Sequence, residues 1–170
     1  MKRNRAGTIA LAVLAAMLLG AAPVAARDSL GIFGAWGAFR DPAVPRCYAI
    51  AMAQPSTQRR DYRPYADVAT WPKRSLRNQV HFRVSLRMQP GQKIVLSIAS
   101  QRFELTGGGG DAWAADRRMD AAIVAAMRSA SSMTVNARDA TGARFSNTWP
   151  LAGAASAMDA ATIGCARVGR

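Results

Sequence analysis

Between Gln79 and Met88 the chain alternates without a break. Val80, Phe82, Val84, Leu86 and Met88 are apolar, and Gln79, His81, Arg83, Ser85 and Arg87 are polar. Successive side chains of a strand point to opposite faces, so this period of two predicts a strand with one side on a core and one in water. Gln89-Pro90-Gly91-Gln92 follows, with Pro and Gly at the central positions of a type II turn. Ile94, Leu96 and Ile98 resume the alternation, and a tight turn near Ser100 and Gln101 leads to Phe103-Glu104-Leu105. The stretch predicts a meander of three antiparallel strands.

The flanking sequence adds short strands and two late helices. Phe33 to Phe39, Gly-rich and aromatic, reads as a first strand or an extended lead-in. Cys47 to Gln54 and Tyr65 to Trp71 read as strands, with a polar loop from Pro55 to Pro64 between them. Pro72 stops the second of these. Thr106 and Gly107 to Gly110 read as a flexible loop. A helix is expected from Arg117 to Ser129, capped by Asp116, with Met119, Ile123, Ala126 and Met127 on one face. Met133 to Ala137 and Ala143 to Trp149 read as strands around a turn at Asp139 to Gly142. Ala152 to Ala161 is expected to be a second helix, with Leu151, Ala155, Met158 and Ala161 on one face. No internal repeat or low-complexity linker interrupts this order. It argues for a mainly β fold, a β-sandwich of antiparallel strands with two α-helices in its C-terminal half.

The first 26 residues bear on location. A basic start, Met1 to Arg5, precedes an uncharged apolar run from Ala6 to Ala22, and Val24-Ala25-Ala26 offers small residues at a cleavage site. This is the pattern of a secretory signal, which leaves residues 27–170 as one domain. An uncleaved anchor is the alternative, since ~20 apolar residues cross a bilayer. Pro23 and the Val-Ala-Ala site suit cleavage better. No second long apolar run occurs, so no transmembrane segment is expected after cleavage. The periplasm is the expected location, with the outer-membrane surface or the medium as further destinations.

Loss of Lys2, Arg3 and Arg5 with the signal takes the formal charge from +13 to +10. Such a charge favours anionic surfaces, among them lipopolysaccharide, acidic lipid and polysaccharide. The plainer reading is an Arg-rich composition that keeps the chain soluble. An exported protein rarely meets its own genome, so nucleic acid is a poor partner. Cys47 and Cys165 both remain after cleavage. In an oxidising compartment an isolated pair reads as a disulfide. The two are too far apart for a CxxC redox pair, and with one histidine they complete no common zinc site.

Catalytic equipment is hard to find. His81 is the only histidine, and no Gly-x-Ser-x-Gly elbow accompanies it. It reads as an exposed strand residue whose neighbour Arg83 opposes its protonation. Asp111, Asp116 and Asp120 fit loop and helix-start roles and lack the spacing of a calcium loop. Gly107 to Gly110 lacks the Gly-Lys-Ser/Thr that a phosphate loop needs. No cofactor or metal motif appears. The basic strand face, with Arg77 leading into His81, Arg83 and Arg87, is the best candidate site, a ladder of cations for an anionic ligand. A solvated sheet face is the alternative. Trp36, Phe39, Trp71, Trp113 and Trp149 read as core or strand-end packing rather than a sugar-stacking platform.

The layout resembles the invasion-associated locus B family of alphaproteobacterial exported proteins. The resemblance rests on the aromatic start at Trp36, Cys47-Tyr48-Ala49, the Pro90-Gly91 hairpin and Ala112-Trp113-Ala114. It continues through the helix Asp120 to Met127, Trp149-Pro150-Leu151-Ala152-Gly153 and Cys165. It spans nearly the whole of residues 27–170 through short motifs. Where many members have Ser-Leu-Xaa-Gly-Phe, this chain has Pro150-Leu151-Ala152-Gly153-Ala154, which marks a divergent member. The resemblance implies an immunoglobulin-like β-sandwich with no known catalytic residues. The expected function is non-enzymatic binding of a cell-envelope component or a partner protein. A small periplasmic enzyme or enzyme inhibitor acting through loop residues is the alternative.

Overall fold

The computed structural model describes residues 27–166, so the signal read at 1–26 lies outside the described residues. Nine strands and two α-helices occupy them. The strands are β1 (Asp28–Phe33), β2 (Trp36–Asp41), β3 (Arg46–Met52), β4 (Tyr65–Trp71), β5 (Leu76–Met88), β6 (Ile94–Ile98), β7 (Gln101–Trp113), β8 (Ser132–Arg138) and β9 (Arg144–Pro150). Helices α1 (Arg117–Met127) and α2 (Ala154–Ala166) lie in the C-terminal half. Among the described residues no helix is long and apolar enough to cross a membrane.

The fold is mainly β. All nine strands join one antiparallel sheet in the order β1-β2-β3-β4-β5-β7-β6-β8-β9. Strand neighbours are chain neighbours apart from one exchange, β7 before β6. The pairing forms a continuous sheet and does not by itself divide it into the two facing layers of an immunoglobulin-like sandwich. The far ends of the sheet approach each other. Trp36 Nε1 on β2 donates to the Pro150 carbonyl on β9 at 2.8 Å, and Phe82 on β5 packs on Trp149 with ring centroids 5.4 Å apart.

The alternation on β5 does what its sequence requires. Val80, Phe82, Val84, Leu86 and Met88 are all buried in one continuous cluster with residues of every other strand except β1 and of both helices. Asp116 caps α1 as expected, its Oδ1 accepting the Met119 N–H at 2.8 Å. The Asp139 turn also forms, its carboxylate accepting the N–H groups of Thr141 and Ala143. Cys47 and Cys165 are bonded, with Cα atoms 5.6 Å apart. The bridge closes a separation of 118 residues, for which loop-closure entropy gives a stabilisation of about 5 kcal/mol.

Three readings are corrected. Phe33 to Phe39 is not one strand but the junction of two, because Gly34 and Ala35 turn the chain between β1 and β2. The glycine tract is not a loop but part of β7. The first half of β7 pairs with β6 and its second half with β5, so the strand must bend between two partners. Gly107 makes that bend possible: its φ is +152°, and a Cβ there would run into the Asp111 carbonyl. The last helix starts two residues later than expected and runs to Ala166. Its phase shifts with it, so Ala154 and Ala157 are buried while Ala155 is only half-buried.

Helix α2 lies against β1 to β4. Cys47 is bonded to α2, so Cys47, Ala49 and Ala51 of β3 face the helix, and Arg46, Tyr48, Ile50 and Met52 face the other way. Helix α1 lies against β5, β6 and β7. Asp120 pins it there by accepting the Val80 N–H of β5 at 2.8 Å.

Candidate functional site

The sheet face turned away from α2 carries the most chemistry. Strand register sets its side chains in rows. One row runs Ile32, Gly37, Ile50, Asp67, His81 and Trp113, and the next runs Met52, Tyr65, Arg83 and Asp111. Opposite residues on one face stand close enough to interact directly.

His81 sits where these rows meet. Its Nδ1 lies 2.8 Å from Asp67 Oδ2, and its Nε2 lies 3.1 Å from Asp111 Oδ1. Arg83 donates from Nη1 to the other Asp111 oxygen at 2.5 Å. The His81 ring stacks on Trp113 at 5.1 Å and meets the edge of Tyr65 at 5.6 Å. Arg83 lies over the Tyr62 ring at 3.9 Å. Tyr62 in turn fits only because residue 110 is glycine, since a Cβ there would stand 2.5 Å from its ring. Asp67 is buried, and His81, Arg83 and Asp111 are half-buried.

This differs from an exposed histidine opposed by Arg83. Burial alone would lower the His81 pKa. The hydrogen bond and charge of Asp67, then those of Asp111, outweigh burial and raise it above its ordinary value. Only the imidazolium can donate from both nitrogens, which is what two flanking carboxylates favour. Tyr65 is pushed up first by burial and then by the charges of Asp67 and Asp111. With His81 protonated, two cations and two carboxylates make the centre close to neutral. With both ring nitrogens occupied, His81 works as a tie between β4, β5 and β7. The carboxylates bracket the ring from two sides and do not converge on a common point, and no metal-binding group of three forms among the described residues.

The four residues of the basic ladder therefore take separate places. Asn78, at φ +54°, breaks the alternation before Val80. Arg77 accordingly lines a hollow beside Thr70 and Thr162, on the α2 side. His81 and Arg83 are held in the carboxylate network. Arg87 is exposed at the far end, where its N–H donates to Asp61 Oδ2 at 3.0 Å.

The aromatic residues also divide. Trp36 and Trp149 are fully buried in the core. Trp71 and Trp113 stand at strand ends, as expected, but on the outer face with Phe39 and Tyr48. Arg46 lies over Tyr48 at 4.5 Å and over Trp71 at 5.2 Å, and Arg74 lies over Trp71 at 5.0 Å. Arg46 Nε and Trp71 Nε1 are buried and have no hydrogen-bond partner among the described residues. Asp67, Tyr62 and Tyr65 are the site residues that sequence reasoning missed, and Asp111, read as a loop or helix-start residue, lies instead on β7 against His81 and Arg83. The available signal was the period of two in β4, which puts Tyr65, Asp67 and Trp71 on one side.

Comparison of the chain with protein-family models, with curated proteins and with solved structures finds no match. The reading of the site therefore rests on its residues and their geometry.

Proposed function

We propose that this is an exported, non-enzymatic binding protein of the invasion-associated locus B type, working in the periplasm or at the cell surface. It engages an envelope component or a partner protein through the outer face of its sheet. The observation that carries this reading is the margin of that face. Ile32, Met52 and Trp113 are 68%, 46% and 38% exposed around an ion-paired centre. Exposed apolar and aromatic side chains rimmed by charge are the composition of interaction surfaces. The tie through His81 supports it, because a ring locked at both nitrogens makes a fixed platform rather than a proton carrier. Surface arginines with no acidic partner among the described residues supply attraction to anionic material.

The test is co-sedimentation of the oxidised protein with outer-membrane vesicles from an alphaproteobacterium, at low and high salt. The paired substitution Ile32→Ser with Trp113→Ala is expected to abolish binding; loss of the His81 stacking lowers the melting midpoint, but the fold is kept, as circular dichroism reads. Binding lost at high salt yet untouched by that pair would move the contact to the arginines. No binding at either salt would turn the reading from the envelope to a soluble protein partner, sought by crosslinking.

A further inference from the structure

We infer that the segment from Ala53 to Pro64 roofs a second site, a cleft for a phosphomonoester group. This segment is a loop with joined ends, since the Ala53 N–H donates to the Pro64 carbonyl at 3.0 Å. Closed surface loops of this length are frequently functional. Backbone bonds hold it at both shoulders. The Gln54 N–H donates to Thr148 of β9 at 2.8 Å, and the N–H groups of Asp61 and Tyr62 share the Ser85 carbonyl of β5 at 2.8 and 3.1 Å. The loop thus straps β9 to β5 and leaves a cleft of about 180 Å³ beneath it.

The lining is cationic above and polar below. Arg59, Arg60 and Arg63 come from the loop, and Ser85 and Asn147 come from the strands. Arg59 is engaged by Asp61 at 3.4 Å. Arg60 and Arg63 have no acidic partner among the described residues. The floor is already aligned. Asn147 is buried, accepts the Ser85 N–H at 2.8 Å and donates to Ser85 Oγ at 3.0 Å. An amide nitrogen carries two hydrogens and a hydroxyl can donate while accepting, so one N–H and one O–H remain for a ligand.

Size and charge select the ligand class. The cleft is smaller than the roughly 300 Å³ at which pockets for whole drug-sized ligands begin, so it takes a headgroup and leaves the rest of the molecule outside. Two uncompensated guanidinium groups match a phosphomonoester, which carries about −1.5 to −2 at neutral pH, better than a carboxylate. Their forked donors suit its oxygens. The headgroup can belong to a soluble phosphoester or to a lipid.

The experiment is equilibrium binding by the oxidised protein at fixed ionic strength. The soluble probes are inorganic phosphate and phenyl phosphate. The lipid probes are phosphatidylcholine vesicles doped with phosphatidic acid, a monoester, or with phosphatidylglycerol, a diester. Saturable binding of the soluble probes, or preference for phosphatidic acid over phosphatidylglycerol, is expected, and which arm responds names the source. Arg60→Gln with Arg63→Gln should weaken it about tenfold for each arginine. Arg102→Gln with Arg118→Gln, which removes the same charge from exposed sites elsewhere, should leave it unchanged. None of the four side chains makes a hydrogen bond among the described residues, so both variants keep the wild-type melting midpoint. Failure of every probe to bind, indifference between the two lipids without soluble binding, or equal losses in both variants would overturn the assignment.

Discussion

Strands β3 and β4 show one backbone put to two uses. Toward α2 they present Cys47, Ala49, Ala51, Ala66 and Val68, all small and all buried, and α2 answers with Ala154, Ala157 and Ala161. Away from α2 the same strands present Arg46, Tyr48, Ile50, Tyr65, Asp67 and Trp71, larger than alanine and, apart from Ile50, polar or amphipathic. Small residues let a helix lie close to a sheet, and a close-packed interior barely yields. Of the residues opposite, Tyr48 and Asp67 are buried and the others stay partly wet, and they meet through charge and ring stacking. The comparison teaches that stiffness comes from the alanine face, and that the outer one is held by charge and ring stacking.

The largest expected effect is on the alanine face. Reducing the disulfide, or replacing both cysteines by alanine, should cost about 5 kcal/mol, read as a fall in the urea midpoint. An unchanged midpoint would mean that α2 holds its place without the bridge. Next comes crowding. Ala157→Leu adds volume at a site with no exposure and should cost about 1–3 kcal/mol. Ile32→Ser on the opposite face should stay within about 0.5 kcal/mol. Equal costs for the two would erase the contrast between the faces.

The outer face is sharpened by pH. His81 has its folded pKa raised, so its protonation is favoured by the fold. That stabilisation is fully present below the unfolded value of about 6.5 and is lost as pH rises through the higher folded value. The wild-type melting midpoint should therefore fall, from this group, as pH rises from about 6.5 through the raised folded value. Asp67→Asn removes the larger favourable partner. It should cost about 1–3 kcal/mol at the acidic end and flatten the profile. A profile as steep as wild type would place the pH dependence outside this network.

How far the sequence alone reached follows from the range of the interactions. The alternation on β5, the Asp116 cap and the Asp139 turn are set by neighbours within a few residues, and all three formed as read. The disulfide was legible from chemistry rather than range, since two cysteines in an oxidising compartment have few other uses. The His81 site was not legible, because its carboxylates lie 14 and 30 residues away. Only the register of β4, β5 and β7 brings them to the ring, and a one-residue slip would turn each to the other face. Arg83 beside His81 was visible and suggested the wrong sign, because the compensating Asp111 was not. The glycine tract was misread for a related reason. Glycine marks both loops and bends within strands, and only the second pairing partner of β7 decides between them.

A small effect of the opposite sign is expected at Asp120, where helix α1 meets β5. The residue is 9% exposed, and its carboxylate accepts the Val80 N–H. Burial raises its pKa, the Val80 bond opposes this, and the charge of Asp116 adds to it. A carboxyl raised in the fold stabilises least when charged, so at neutral pH its ionisation costs something that its hydrogen bond recovers. Asn keeps the acceptor and sheds the charge. Asp120→Asn should therefore lie within about 1 kcal/mol of wild type at neutral pH, on the stabilising side. That small advantage should fade as pH falls through the raised pKa, because the native carboxyl is then neutral too. Asp120→Ala, which strands the Val80 N–H, should cost about 1–3 kcal/mol by the same denaturation assay. If Asn cost as much as Ala, the charge itself would be what fixes the helix on the sheet, and the junction would obey the ionic logic of the outer face rather than the packing logic of the inner one.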